Sequence, residues 1–129
     1  MKRFFATILS VIVTFSAMAQ KYDLCIYGGT SAGVVAAYSA AQLDMKVVLV
    51  CPEERLGGLT TGGLGQTDIG NKQVVMGVAK QFYRALGEHY GRLEAWTFEP
   101  SAALKIIEKY AEHKNITIYK GEYLDKVEK

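Results

Sequence analysis

The run Gly28-Gly29-Thr30-Ser31-Ala32-Gly33 is where residue type and spacing in this 129-residue chain most directly suggest chemistry. A glycine-rich turn between a strand and a helix turns main-chain N–H groups and the positive end of the helix toward an anion, so it can cradle a pyrophosphate. Gly28 is placed to take the tight turn, and Gly33 to let the helix lie close against the strand. The middle position departs from G-x-G-x-x-G, because Thr30 stands where a second glycine would allow the closest approach of phosphates. The hydroxyl of Thr30, or of neighbouring Ser31, can donate a hydrogen bond to phosphate instead. Dinucleotide folds also place an acid at the end of the second strand, and here Cys51 occupies that position. Glu53, just beyond it, is the nearest carboxylate able to accept hydrogen bonds from ribose hydroxyls.

A second glycine cluster begins with Arg55-Leu56-Gly57-Gly58-Leu59-Thr60-Thr61-Gly62-Gly63 and extends to Gly70. It is too rich in glycine for a helix or a strong strand, so it predicts a specialised loop. Paired glycines let a backbone pass close to an extended ligand. Arg55 adds a permanent charge with several donors for phosphate or ribose.

These loops need rigid neighbours, and the pattern supplies them. Tyr22–Tyr27 is a short, mostly apolar run ending in glycines, which predicts a parallel strand buried on both faces. Ser31–Leu43 is rich in alanine, with Val34, Val35, Tyr38 and Ala41 on one side, and predicts a helix packed closely on a sheet. Lys46–Cys51 is β-branched and stops at Pro52, giving a second strand parallel to the first. Val75–Tyr90 carries a helical stripe, and about Pro100–Glu112 reads as a further helix with proline at its start. Ile116–Tyr119 reads as a third strand, and Tyr123–Val127 as the beginning of another. The expected fold class is therefore α/β, a Rossmann-type parallel sheet with flanking helices.

Residues 1–19 differ in kind. Lys2 and Arg3 precede the apolar run Phe4–Phe15, and Ala17-Met18-Ala19 follows, which is the layout of a secretory signal peptide cleaved after Ala19. The apolar run is too short to cross a hydrocarbon core that needs roughly twenty residues, so no stable membrane anchor is expected after cleavage. The expected location is periplasmic or secreted, and the remaining 20–129 form one domain. Lys2 and Arg3 account for two of the fifteen basic residues, which leaves thirteen against thirteen acids and no basic patch suited to nucleic acid.

The Arg55–Gly63 segment resembles the R-x-G-G stretch of FAD-dependent oxidoreductases, and nicotinamide Rossmann domains have no such segment. From Tyr22 to the C-terminus, including Gly65–Gly70 and Trp96–Pro100, the chain is similar to the N-terminal portion of bacterial FAD-dependent oxidoreductases of the glutathione-reductase-like fold, a group with secreted members. The resemblance implies FAD as cofactor. It implies that Gly28, Ser31, Ala32 and Gly33 contact the pyrophosphate, while Arg55, Gly57, Gly58, Thr60 and Thr61, with Leu59 among them, lie along the FAD toward its flavin. It also implies that backbone near Leu124 meets the adenine.

Other chemistry is less well supported. His89 and His113 fall near predicted helix ends, where a structural or solvent role is the simpler reading. Cys25 and Cys51 lack C-x-x-C spacing and fall in predicted strands as core residues; no Cys/His pair has metal-ligand spacing, so no metal is expected. Tyr83, Tyr90, Trp96 and Phe98 could stack on a sugar, yet their spacing favours core packing. The expected function is hydride transfer between a small-molecule substrate and FAD, with no catalytic residue assignable. The alternatives are a non-catalytic module binding an adenine dinucleotide such as NAD, and a secreted carbohydrate-binding protein. Because the resembled enzymes need further strands and a substrate domain, the chain reads as the truncated front of a longer enzyme, holding the ADP half weakly and catalysing nothing by itself.

Overall fold

The computed structural model describes residues 21–128, so the leader expected at 1–19 lies outside the described residues. Three strands, β1 (Leu24–Tyr27), β2 (Val47–Cys51) and β3 (Ile116–Lys120), form a parallel sheet in the order β1-β2-β3. Leu24 pairs with Val47 and Val47 with Ile116, so the first residues of the three strands are aligned. Helix α1 (Ser31–Ala41) joins β1 to β2. A four-residue helical turn α2 (Leu59–Gly62), a 3-10 turn at Lys72–Val74, and helices α3 (Gly77–His89) and α4 (Pro100–Ala111) lie between β2 and β3.

Local chemistry sets the ends of these elements. Thr30 caps α1 with its hydroxyl accepting from the Gly33 N–H at 3.2 Å, and Asp44, at φ +59, carries the chain out of the helix in a conformation that a short polar residue tolerates. The Asp23 carboxylate accepts from the Lys46 N–H at 2.8 Å, tying the start of β1 to the start of β2. Pro100 occupies the first turn of α4, where its missing N–H costs nothing.

The core lies between one face of the sheet and α1. Val34, Ala37, Ala40 and Ala41 of α1 pack with Val47, Leu49 and Cys51 of β2, and Leu86 of α3 and Ala103 and Ile107 of α4 join the same cluster. The alanines permit α1 to approach the strands closely. Val35 and Tyr38, expected on the sheet side, face the other helices instead: Tyr38 stacks on Tyr110 of α4 with ring centroids 4.7 Å apart. A helix packed on two sides defeats a single-stripe reading.

The sequence also predicts cover on both faces of β1, and the structure corrects this. Burial alternates along β1, with Cys25 and Tyr27 exposed and Leu24 and Ile26 half-buried. Right-handed crossovers that step the same way across a sheet place their helices on the same face, so Cys25, Tyr27 and Tyr119 look outward. Cys25 is thus an exposed residue and not a core one. Two further expectations change. The Arg55–Gly70 segment contains the helical turn α2, and Tyr123–Val127 forms no strand, its side chains being exposed without a neighbouring partner strand.

The aromatic group expected in the core is there. Tyr83 stacks on Trp96 at 3.9 Å between centroids, and Phe82 meets Phe98 edge to face at 5.8 Å. Trp96 and Phe98 are buried, which removes both faces from a sugar. Glu94 fastens this region to α3. Its carboxylate takes an ion pair from Lys80 at 3.0 Å and a hydrogen bond from the Trp96 indole at 3.3 Å, and the Lys80 hydrogen bond holds its pKa below the usual carboxylate value.

Candidate cofactor-binding site

The carboxyl ends of β1 and β2 deliver the two glycine segments to the N-terminus of α1, and backbone hydrogen bonds join them there. The Gly57 N–H donates to the Gly29 carbonyl at 2.7 Å, and Thr30 and Gly57 form an isolated parallel bridge. The Ser31 hydroxyl donates to the Gly57 carbonyl at 3.3 Å and lies 2.9 Å from the Thr60 hydroxyl. The sequence did not reveal this hydroxyl pair as a link between the two loops. Nothing in the spacing of residues 31 and 60 announces it.

Gly33 fulfils its expected role by close approach: a Cβ there would overlap the Gly28 carbonyl oxygen and press on Ile26 of β1. Gly28 turns the chain at φ +112. Gly29 is buried because the Cys51 thiol packs beneath it; an added Cβ would meet the sulfur at 2.6 Å. Cys51 is therefore a packing residue, fully buried and aimed at the turn, with no access to a ribose. Burial pushes its thiol above the usual range, with Lys120 partly offsetting this and Glu53 adding to it.

Helix geometry leaves the first-turn N–H groups of Ser31 and Ala32 without a carbonyl above them, and α1 has no acidic side chain in that turn to compete for its positive end. Beside it lies a cleft of about 370 Å³ lined by Gly29, Thr30, Glu53, Arg55, Gly58 and Leu59. The structure thus brings together the turn, the ribose candidate Glu53 and the Arg55-Leu59 stretch. Arg55 is exposed, and its guanidinium donates to the Thr61 carbonyl at 3.2 Å, which fixes it at the cleft.

Two expected site residues are placed differently. Thr61 turns inward: it is buried, and its hydroxyl donates to the Leu56 carbonyl, so its side chain holds the loop's shape and does not face the cleft. Leu124 lies apart, in a separate hollow of about 520 Å³ with Cys25, Tyr27 and Tyr119 on the open sheet face. Its N–H donates to the Tyr27 hydroxyl at 3.4 Å.

His89 closes α3, and His113 accepts the Asn115 N–H just after α4; both are structural positions. Among the described residues no three His, Cys, Asp or Glu side chains gather as a metal site, and no helix is long and apolar enough to cross a membrane.

The site's donor set fits an adenine dinucleotide with a diphosphate at its centre. Main-chain N–H groups and hydroxyls meet the positive helix end, an arginine stands beside them, and a carboxylate lies within the same cleft. The model of the family described as FAD dependent oxidoreductase matches residues 23–129. Among solved structures, the chain is similar to Thermovibrio ammonificans THI4 at 17% identity, with a TM-score of 0.48, over 77% of this chain and 38% of that one. The chain thus spans well under half of that protein's length. No curated protein matches it.

Proposed function

The chain belongs to the FAD dependent oxidoreductase family, and from that premise we propose that it holds FAD across the two joined glycine segments for two-electron oxidation or reduction of a small organic substrate. The observation that carries this reading is the Gly57-to-Gly29 hydrogen bond, which sets both glycine segments and the polar cleft against the open N-terminus of α1. Bound FAD would supply the hydride-accepting chemistry. The chain's own residues bind and orient. The Ser31 and Ala32 N–H groups, with the Thr30 hydroxyl proton left free by its capping bond, are the donors for the diphosphate. Arg55 screens the diphosphate charge. Glu53 is the acceptor for ribose hydroxyls, displaced into the loop because Cys51 is committed to packing under Gly29.

A direct test loads the natural protein with FAD and mixes it anaerobically with families of small hydride donors, such as alcohols, amines and hydroxy acids. Bleaching of the flavin by one family is the expected result. Failure of every donor to bleach a flavin that dithionite reduces readily would remove hydride transfer from the reading and leave FAD binding alone.

A further inference from the structure

A second cavity adjoins the cleft and has the opposite character. It encloses about 280 Å³ between α1, α3 and α4, with Val35, Ala79, Phe82 and Ile107 as walls and the Ser31 and Thr60 hydroxyls at one end. The two spaces abut at single peptide bonds: Thr30 lines the polar cleft and Ser31 the apolar cavity, and Leu59 lines the first and Thr60 the second. The hydrogen-bonded Ser31 and Thr60 hydroxyls, 2.9 Å apart, therefore stand on the boundary, beside the helix end that attracts a diphosphate.

Resting on the FAD reading above, we propose that the apolar cavity seats the flavin ring, so that FAD lies with its ADP half in the cleft of Glu53 and Arg55 and its ring end between α1 and α3. The match is one of polarity in order along the molecule. FAD has a charged centre, a hydroxyl-rich adenosine at one end and a planar, largely apolar ring system at the other. The reverse orientation would press the apolar ring against an exposed carboxylate and guanidinium and would leave ribose hydroxyls facing Phe82 and Ile107 without partners. The cavity is just below the usual lower bound of roughly 300 Å³ for a small-molecule pocket, so it suits part of a ligand and not a whole dinucleotide. Tyr83 completes the wall in a fixed pose, held by its stack on Trp96 and by its hydroxyl donating to Thr67 at 3.2 Å.

Ala79 offers the test, because it is exposed on α3 and outside the core cluster, so a larger side chain there fills the cavity without displacing buried neighbours. Binding of FAD and of ADP to the natural protein and to Ala79→Phe would be measured side by side, with Ala79→Ser as a size-conserving control. The expected result is FAD binding weakened about tenfold or more in Ala79→Phe, ADP binding unchanged within about twofold, and both unchanged in Ala79→Ser. Unchanged ADP binding also shows that the variant is folded. Equal effects on FAD and ADP, or no effect on either, would overturn the ring's placement while leaving FAD binding intact. Failure of the natural protein to bind either ligand would instead overturn the FAD reading itself.

Discussion

Gly33→Val is expected to abolish measurable FAD uptake and to lower the stability of the fold by about 2–3 kcal/mol. A Cβ at this position overlaps the Gly28 carbonyl oxygen, and the next atoms would meet the Ile26 side chain. To relieve the overlap, α1 must move away from β1 or the turn must open. Either change redirects the first-turn N–H groups that face the diphosphate. Binding and stability should therefore fall together, which thermal unfolding and an FAD titration on the same sample would show. A variant that unfolds at the natural temperature and still takes up FAD would mean that the diphosphate lies away from α1.

Gly57→Ala is expected to weaken FAD binding about tenfold and to cost about 2 kcal/mol of stability. Gly57 adopts φ +95, and an added Cβ would overlap the Thr61 side chain, whose hydroxyl is committed to the Leu56 carbonyl. The clash falls where Gly57 holds Gly29 through its N–H and Ser31 through its carbonyl. The neighbouring Gly58→Ala is a matched control. It also has positive φ, at +54, but its Cβ would only touch Thr30 at an ordinary 3.6 Å. Its stability loss should be about 1 kcal/mol, the cost of the backbone conformation alone. Equal losses at both positions would show that the joining of the loops contributes nothing beyond backbone strain.

These contrasts also show which parts of the site were readable from the sequence. The turn at Gly28–Gly33 was legible because its chemistry is local: glycine, helix start and strand end are consecutive in the chain. The strand-helix-strand unit was legible for the same reason, since β-branched residues in Val47–Cys51 and alanines in Ser31–Ala41 act over one element each. What could not be read depends on tertiary direction. The sequence of Tyr22–Tyr27 cannot reveal that both crossovers place their helices on one face, and so Cys25 and Tyr27 were assigned to the core. Thr60 and Thr61 are adjacent and identical, yet the fold sends one hydroxyl to Ser31 and buries the other against Leu56. Six glycines between Arg55 and Gly70 concealed a helical turn at Leu59–Gly62, because composition favours loop while packing of α2 on α4 favours a turn of helix. Cys51 illustrates the converse: the missing acid was visible as a residue type, and its physical reason, the contact of its sulfur with Gly29, was visible only in the fold.

The claim on which the rest depends is that the paired glycine segments hold FAD at the N-terminus of α1. An FAD titration of the purified natural protein, read by equilibrium dialysis and visible absorbance with ADP as competitor, addresses it most directly. The account predicts saturable uptake of one FAD per chain, displaced by ADP and lost in Gly33→Val. FAD that remains free at every concentration, or that binds without competition from ADP, would contradict it.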